Sequence, residues 1–154
     1  MKQDIMKHSS PNLHLSFHQK SAGLSLVIVS SAASYYVATM WPMRPIALAN
    51  DIIPAGYGQL VLTTLALIIV AEMMLHTVLA IGAGSASAAP AHEQTAALKA
   101  RRNAYGVLAF GLVAAVGSVF LEELTPFCTA NIAFMALLAA EIVKFGSQLL
   151  YGRR

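Results

Sequence analysis

Two carboxylates stand where hydrocarbon should exclude them. Glu72 lies inside the unbroken apolar run 60–81, and Glu141 inside the run 127–151. Each has a second ionisable group one helical turn on. His76 follows Glu72, Lys144 follows Glu141, and Gln148 comes a further turn along. At these spacings Glu72 and His76 share one helix face, and Glu141, Lys144 and Gln148 share another. A bilayer crossing takes about 20 residues of helix, so both runs are long enough. A carboxylate at that depth costs roughly 2.5–3.5 kcal/mol on insertion scales, so both acids should face protein or water. Two chemistries follow. The groups can act as glue that pins helix register, at about 0.6 to 2 kcal/mol per interhelical polar contact. Alternatively they form a proton or cation relay, since ionisable groups inside membranes mark transport paths. If the two faces pack together, two carboxylates, an imidazole and an ammonium meet in one pocket, where neighbouring carboxylates resist double ionisation.

The elements that must position these groups are long and apolar. Of 154 residues, 57% are hydrophobic and only 11% charged, against about 25% charged in soluble domains. A water-soluble fold of this length has too little chain left to cover four such segments. The expectation is therefore an all-α polytopic membrane protein, with four transmembrane helices in a compact bundle within residues 21–152. The spans are expected at 21–40, 57–82, 103–121 and 127–151, after a polar tail at 1–20. No cleavable signal peptide is expected, because the first apolar run ends in bulky residues with no small-residue cleavage site. Tyr35, Tyr36, Trp41, Tyr57, Tyr105 and Tyr151 fall near span ends, where amphipathic rings prefer the interface. Residues 42–56 hold three prolines and are expected to form a re-entrant or interfacial cap, and 83–98 to be a flexible linker.

Basic residues suggest an orientation. Lys2, Lys7 and Lys20 precede the first span, Lys99, Arg101 and Arg102 the third, and Arg153 and Arg154 follow the fourth. The positive-inside rule puts these regions, and both termini, in the cytoplasm. The net charge of +3 thus reads as a topology signal, not a nucleic-acid surface. A 2+2 internal repeat is also expected. A shift of 69 places Ala71–Glu72 on Ala140–Glu141, and a shift of 82 places Ala32–Ala33 on Ala114–Ala115.

Other residues carry less. Gly111, Ala115 and Ser118 form a small-residue stripe suited to close helix packing. Ser30, Ser31, Ser34, Thr63 and Thr64 are expected to bond back to their own helices, and Asn131 to cap or cross-link a neighbour. Met73, Met74 and Met135 read as core filler, and the single cysteine, Cys128, as a small buried residue. His14 and His18 have the spacing of a metal pair on a helix, but without supporting acids or cysteines they read as a solvated tail. No metal site and no cofactor is expected, and no motif for soluble catalysis is present.

Several segments of the second half resemble a group of small, uncharacterised bacterial four-span integral membrane proteins. They are Arg101-Arg102 with Tyr105, Val107 and Leu108; Ala130-Asn131; Ala140-Glu141-Ile142-Val143-Lys144; and Gln148-Leu149-Leu150-Tyr151 with Arg153-Arg154. The stretch before the third span, His92-Glu93-Gln94, is less charged than in that group. The resemblance implies four helices, a bacterial cytoplasmic (inner) membrane, and the Glu141–Lys144 pair as a recurring feature. The functional expectation is a non-enzymatic accessory, sensory or regulatory membrane subunit. Its partners would be the lipid bilayer and either a homo-oligomer or another membrane protein, with no nucleic acid. The alternative is a small proton- or cation-coupled transporter using Glu72, His76, Glu141 and Lys144.

Overall fold

An apolar segment without water must satisfy its backbone internally, which favours helix. The structure, a computed structural model, describes residues 17–82, 91–121 and 124–152, and among these residues every regular element is helical. Helix α1 spans Phe17–Met40, and a 3₁₀ turn, Trp41–Met43, leads into α2, Arg44–Asn50. Then come α3, Tyr57–Gly82, α4, Ala91–Ser118, and α5, Pro126–Gly152. Asp51 ends α2 in the left-handed region (φ 51°), and Gly56 (φ 86°) makes the turn into α3.

Three stretches are long and apolar enough to cross a membrane. They are Gln19–Asn50, which takes in α1 and α2, Tyr57–Val78 and Pro126–Gly152. Large apolar side chains lie open along them, among them Leu62 (69% exposed) and Val78 (65%). Such continuous apolar surface is a liability in water and ordinary in lipid, so the chain reads as a membrane protein.

Three expected boundaries move. Residues 17–20 belong to α1 and not to the tail. Residues 91–98 are the first turns of α4 and not linker. That stretch is rich in good helix formers, and Glu93, Ala96, Ala100 and Ala104 recur at helical spacing and are all buried. At its other end α4 stops at Ser118, where residues 119–121 close a tight turn through i→i−3 bonds. The apolar part of α4, from Asn103 to Ser118, is about 24 Å long at 1.5 Å per residue. A hydrocarbon core is about 30 Å thick, so α4 falls short of the length of the other three. The proline-rich segment after α1 continues it as the 3₁₀ turn and α2, with the Arg44 guanidinium 5.5 Å from the centre of the Trp41 ring.

The main packing order is α3–α1–α5–α4. α1 can sit between two helices because its buried positions fall 3 or 4 residues apart: Ala22, Ser25, Val29, Ala32, Tyr36 and Met40. That is the spacing of a seam whose side chains interlock with a neighbour. One core gathers Tyr36, Met40, Ala47, Tyr57, Leu60, Phe127, Phe134 and Leu138, and a second gathers Ala22, Val29 and Phe145. On the far side of α5, α4 packs along it closely. Ser118 Oγ pairs with Thr129 Oγ1 at 2.8 Å, and Asn103 Nδ2 donates to Tyr151 Oη at 2.9 Å. Between them a Cβ built on Gly111 would overlap the Cβ of Ala136. Ala115 and Ser118 are buried along the same stripe.

Gly111→Ala should therefore lower stability by about 1–3 kcal/mol through overpacking. Gly117, where a Cβ meets nothing within 4 Å, should respond to the same change with a gain of roughly 0.5–1 kcal/mol. Thermal midpoints in detergent check the opposite signs.

Candidate functional site

Glu72 is answered from α1. The buried Ser25 hydroxyl donates to Glu72 Oε2 at 2.8 Å, and His76 Nε2 lies 3.5 Å from the same oxygen. The acid's side chain is 16% exposed and the imidazole 65%, so the histidine reaches in from the helix surface. The other oxygen, Oε1, is buried and has no hydrogen-bond partner among the described residues. A hydrogen bond to a charged group contributes roughly 1.5–3 kcal/mol, and an unanswered buried oxygen costs a comparable amount. One side of Glu72 is thus fixed, and the other stays able to take a proton or a donor.

Glu141 is answered within its own helix. Lys144 Nζ donates to Glu141 Oε2, and the ammonium also sits 4.3 Å from the centre of the Phe145 ring. These side chains remain 35% and 25% exposed. No hydrogen bond or ion pair among the described residues joins this pair to Glu72 and His76. The structure thus pairs Glu72 with His76 on α3, against Ser25 of α1, and Glu141 with Lys144 on α5. Gln148, a turn beyond Lys144, lines a small cavity with Gln19 and Glu93.

The Glu141–Lys144 pair continues an open groove. Tyr57, Val61 and Leu62 of α3 form one wall, Leu108 and Leu112 of α4 the other, and Phe134 and Leu137 of α5 part of the floor. Glu141 and Lys144 lie 4 and 7 residues beyond Leu137, so they extend that floor. The groove's own lining is almost wholly apolar, and the pair lies outside it on the same face of α5.

A third polar group was not anticipated. Tyr36 and Tyr57, expected at the lipid interface, are buried. Tyr36 Oη donates to Asn131 Oδ1 at 2.7 Å and pairs with Tyr57 Oη at 2.8 Å. Tyr36 has one hydroxyl proton, and it goes to Asn131, so Tyr57 must donate to Tyr36. The chain Tyr57→Tyr36→Asn131 links α3, α1 and α5. The rings pack as well, with Tyr36 and Phe134 centroids 4.5 Å apart. Adjacent Tyr35 and Tyr36 must point to different faces of α1, which was the available signal that one of them turns inward. Asn131 cross-links a neighbour, as its place in an apolar run suggested. Ser34 and Thr64 bond back to Ser30 O and Leu60 O.

Among the described residues no three His, Cys, Asp or Glu side chains converge as a metal site. His14 and the side chain of His18 lie outside the described residues.

Tyr36→Phe removes both hydroxyl bonds and leaves Asn131 and Tyr57 short of a partner. It should cost about 1–3 kcal/mol. In an Asn131→Leu background the same change should cost less, by a coupling of about 0.5 kcal/mol or more. Unfolding in a denaturing detergent mixture measures both.

Compared with known protein families, curated proteins and solved structures, the chain matches none. The functional reading therefore rests on the geometry.

Proposed function

We propose that this chain is a non-enzymatic integral membrane subunit, accessory, sensory or regulatory in role, that assembles with a second copy or another membrane protein. The observation that carries this reading is the partial exposure of Glu141 and Lys144 in the middle of an apolar helix. Even as an ion pair, charges facing lipid are strongly disfavoured. A helix seated in the groove between α3 and α4 would cover the pair and supply polar contacts. The loops are short, which leaves little room for a soluble active site. In the full reading α4 is a fourth crossing beside α5, and residues 119–121 add apolar length beyond its helical end. Both termini are cytoplasmic, in a bacterial inner membrane. Lys20, Lys99, Arg101 and Arg102 support this side, because they belong to the end where α1 and α4 begin. The pairing of α1 with α3 and of α4 with α5 fits a 2+2 duplication.

Purification in mild detergent with crosslinking in native membranes should recover a defined homo-oligomer or partner. Glu141→Ala with Lys144→Ala should disperse it to monomer while the thermal midpoint is kept. A strictly monomeric, partnerless wild type counts against the proposal.

A second reading has its own observation. Glu72 Oε1 is buried without a partner among the described residues, as a proton- or cation-exchanging acid would be between loadings. Proton or cation flux in proteoliposomes should then fall at least tenfold in Glu72→Gln. Equal flux in wild type, Glu72→Gln and Glu141→Gln removes this reading.

A further inference from the structure

A second unanswered carboxylate, Glu93, belongs to neither of the intramembrane pairs. α1 and α4 begin and α5 finishes at one end of the molecule, where they enclose a cavity of about 90 Å³. Gln19, Glu93 and Gln148 line it, and Ala22, Ala96 and Ala97 leave room because they are small. Gln19 Nε2 donates to the carbonyl of Gly152, which ties the start of α1 to the end of α5 across the cavity mouth. Glu93 is only 9% exposed, and its Oε2 is buried with no hydrogen-bond partner among the described residues.

A carboxylate in this state is costly unless something cationic meets it. Its place in the first turn of α4 gives it help from the helix dipole, worth about 0.3–1 kcal/mol, which does not replace a direct partner. The wall can provide more oxygen: the side-chain carbonyl of Gln148 and the carbonyl of Gly152, whose second lone pair remains after Gln19 has bonded. A liquid-like share of volume per water is about 30 Å³, so the cavity takes something the size of a small cation with one or two waters. Hard cations select oxygen donors, and one carboxylate balances one positive charge.

We propose that Glu93, Gln148 and the Gly152 carbonyl form a binding site for one small monovalent cation, which clamps the beginnings of α1 and α4 to the end of α5. An alkali metal ion and a primary ammonium present the same chemistry to these oxygens. The test distinguishes them.

The experiment is a thermal scan of the full chain in detergent at constant ionic strength. The salts are sodium, potassium and methylammonium chloride, with choline chloride as the cation too large to enter. In wild type the midpoint should rise with the logarithm of the bound cation's concentration, by a few degrees per tenfold once above its Kd. Glu93→Gln should abolish that rise and, with no lone charge left, should match or exceed wild type in choline. Gln148→Met, which keeps the shape and loses the carbonyl, should weaken the response at least tenfold in concentration. A response to sodium or potassium assigns a metal-ion site, whereas a response to methylammonium alone assigns the site to an amine, such as a lipid headgroup. Identical wild-type midpoints in all four salts overturn the proposal. So does a response that survives unchanged in both variants.

Discussion

The bond from Ser25 to Glu72 decides how the helices are arranged. In hydrocarbon there is no water to answer a carboxylate, so the nearest donor on a neighbouring helix has a large say in which helix that neighbour is. Ser25 is fully buried in the interlocking seam of α1, one turn from Ala22 and from Val29. Its hydroxyl brings α3 onto α1 at that level, and the Tyr57–Tyr36–Asn131 chain does the same nearer the other end. Since Tyr36 also reaches α5, α1 becomes the helix on which both α3 and α5 rest.

The α4–α5 interface is made differently. Lipid gives no hydrophobic reason for two apolar helices to associate, so contact depends on close van der Waals approach and scattered hydrogen bonds. Gly111 against Ala136, with Ala100, Ala104 and Ala115 buried along α4, provides the approach. The bonds Ser118–Thr129 and Asn103–Tyr151 bracket it at the two ends. This smooth seam carries no charge in its centre. The charged pair of α5 therefore faces the groove, where α3 and α4 do not close over it.

Much of this was legible in the residues, and the missing part has a physical cause. Long apolar runs and the turn prolines are local signals, and they locate α1, α3 and α5 to within a few residues. The pairs Glu72–His76 and Glu141–Lys144 are likewise local, because spacing along one helix puts them together. Which helix answers which acid is not local. Ser25 looks like any serine in a membrane helix, and nothing beside it in the chain points to a carboxylate 47 positions on. Tyr36 and Tyr57 lie near span ends, where the interface is the ordinary place for a tyrosine, and only the packing of α1 turns them inward. The start of α4 at Ala91 is hidden in 83–98, a small and polar stretch that reads as linker, although alanines at helical spacing can bury themselves against a neighbour.

The two acids, each inside a long apolar helix, end with opposite defects. Glu72 is largely enclosed but half-answered: one oxygen accepts from Ser25 with His76 close by, and the other has no partner among the described residues. Glu141 is neutralised by Lys144 yet left partly uncovered. A neutralised but uncovered pair is suited to recognition, because a partner that covers it gains contacts without having to supply a counter-charge. If the two halves of the chain descend from a duplication, they have diverged in this respect above all. Ser25 on α1 has Val107 as its counterpart on α4 under the same shift of 82 residues. A valine cannot donate a hydrogen bond, so α4 offers no hydroxyl at the corresponding place. Lys144 supplies the answer from within α5 instead, and the acid stays on the side of the helix that a neighbour has yet to cover.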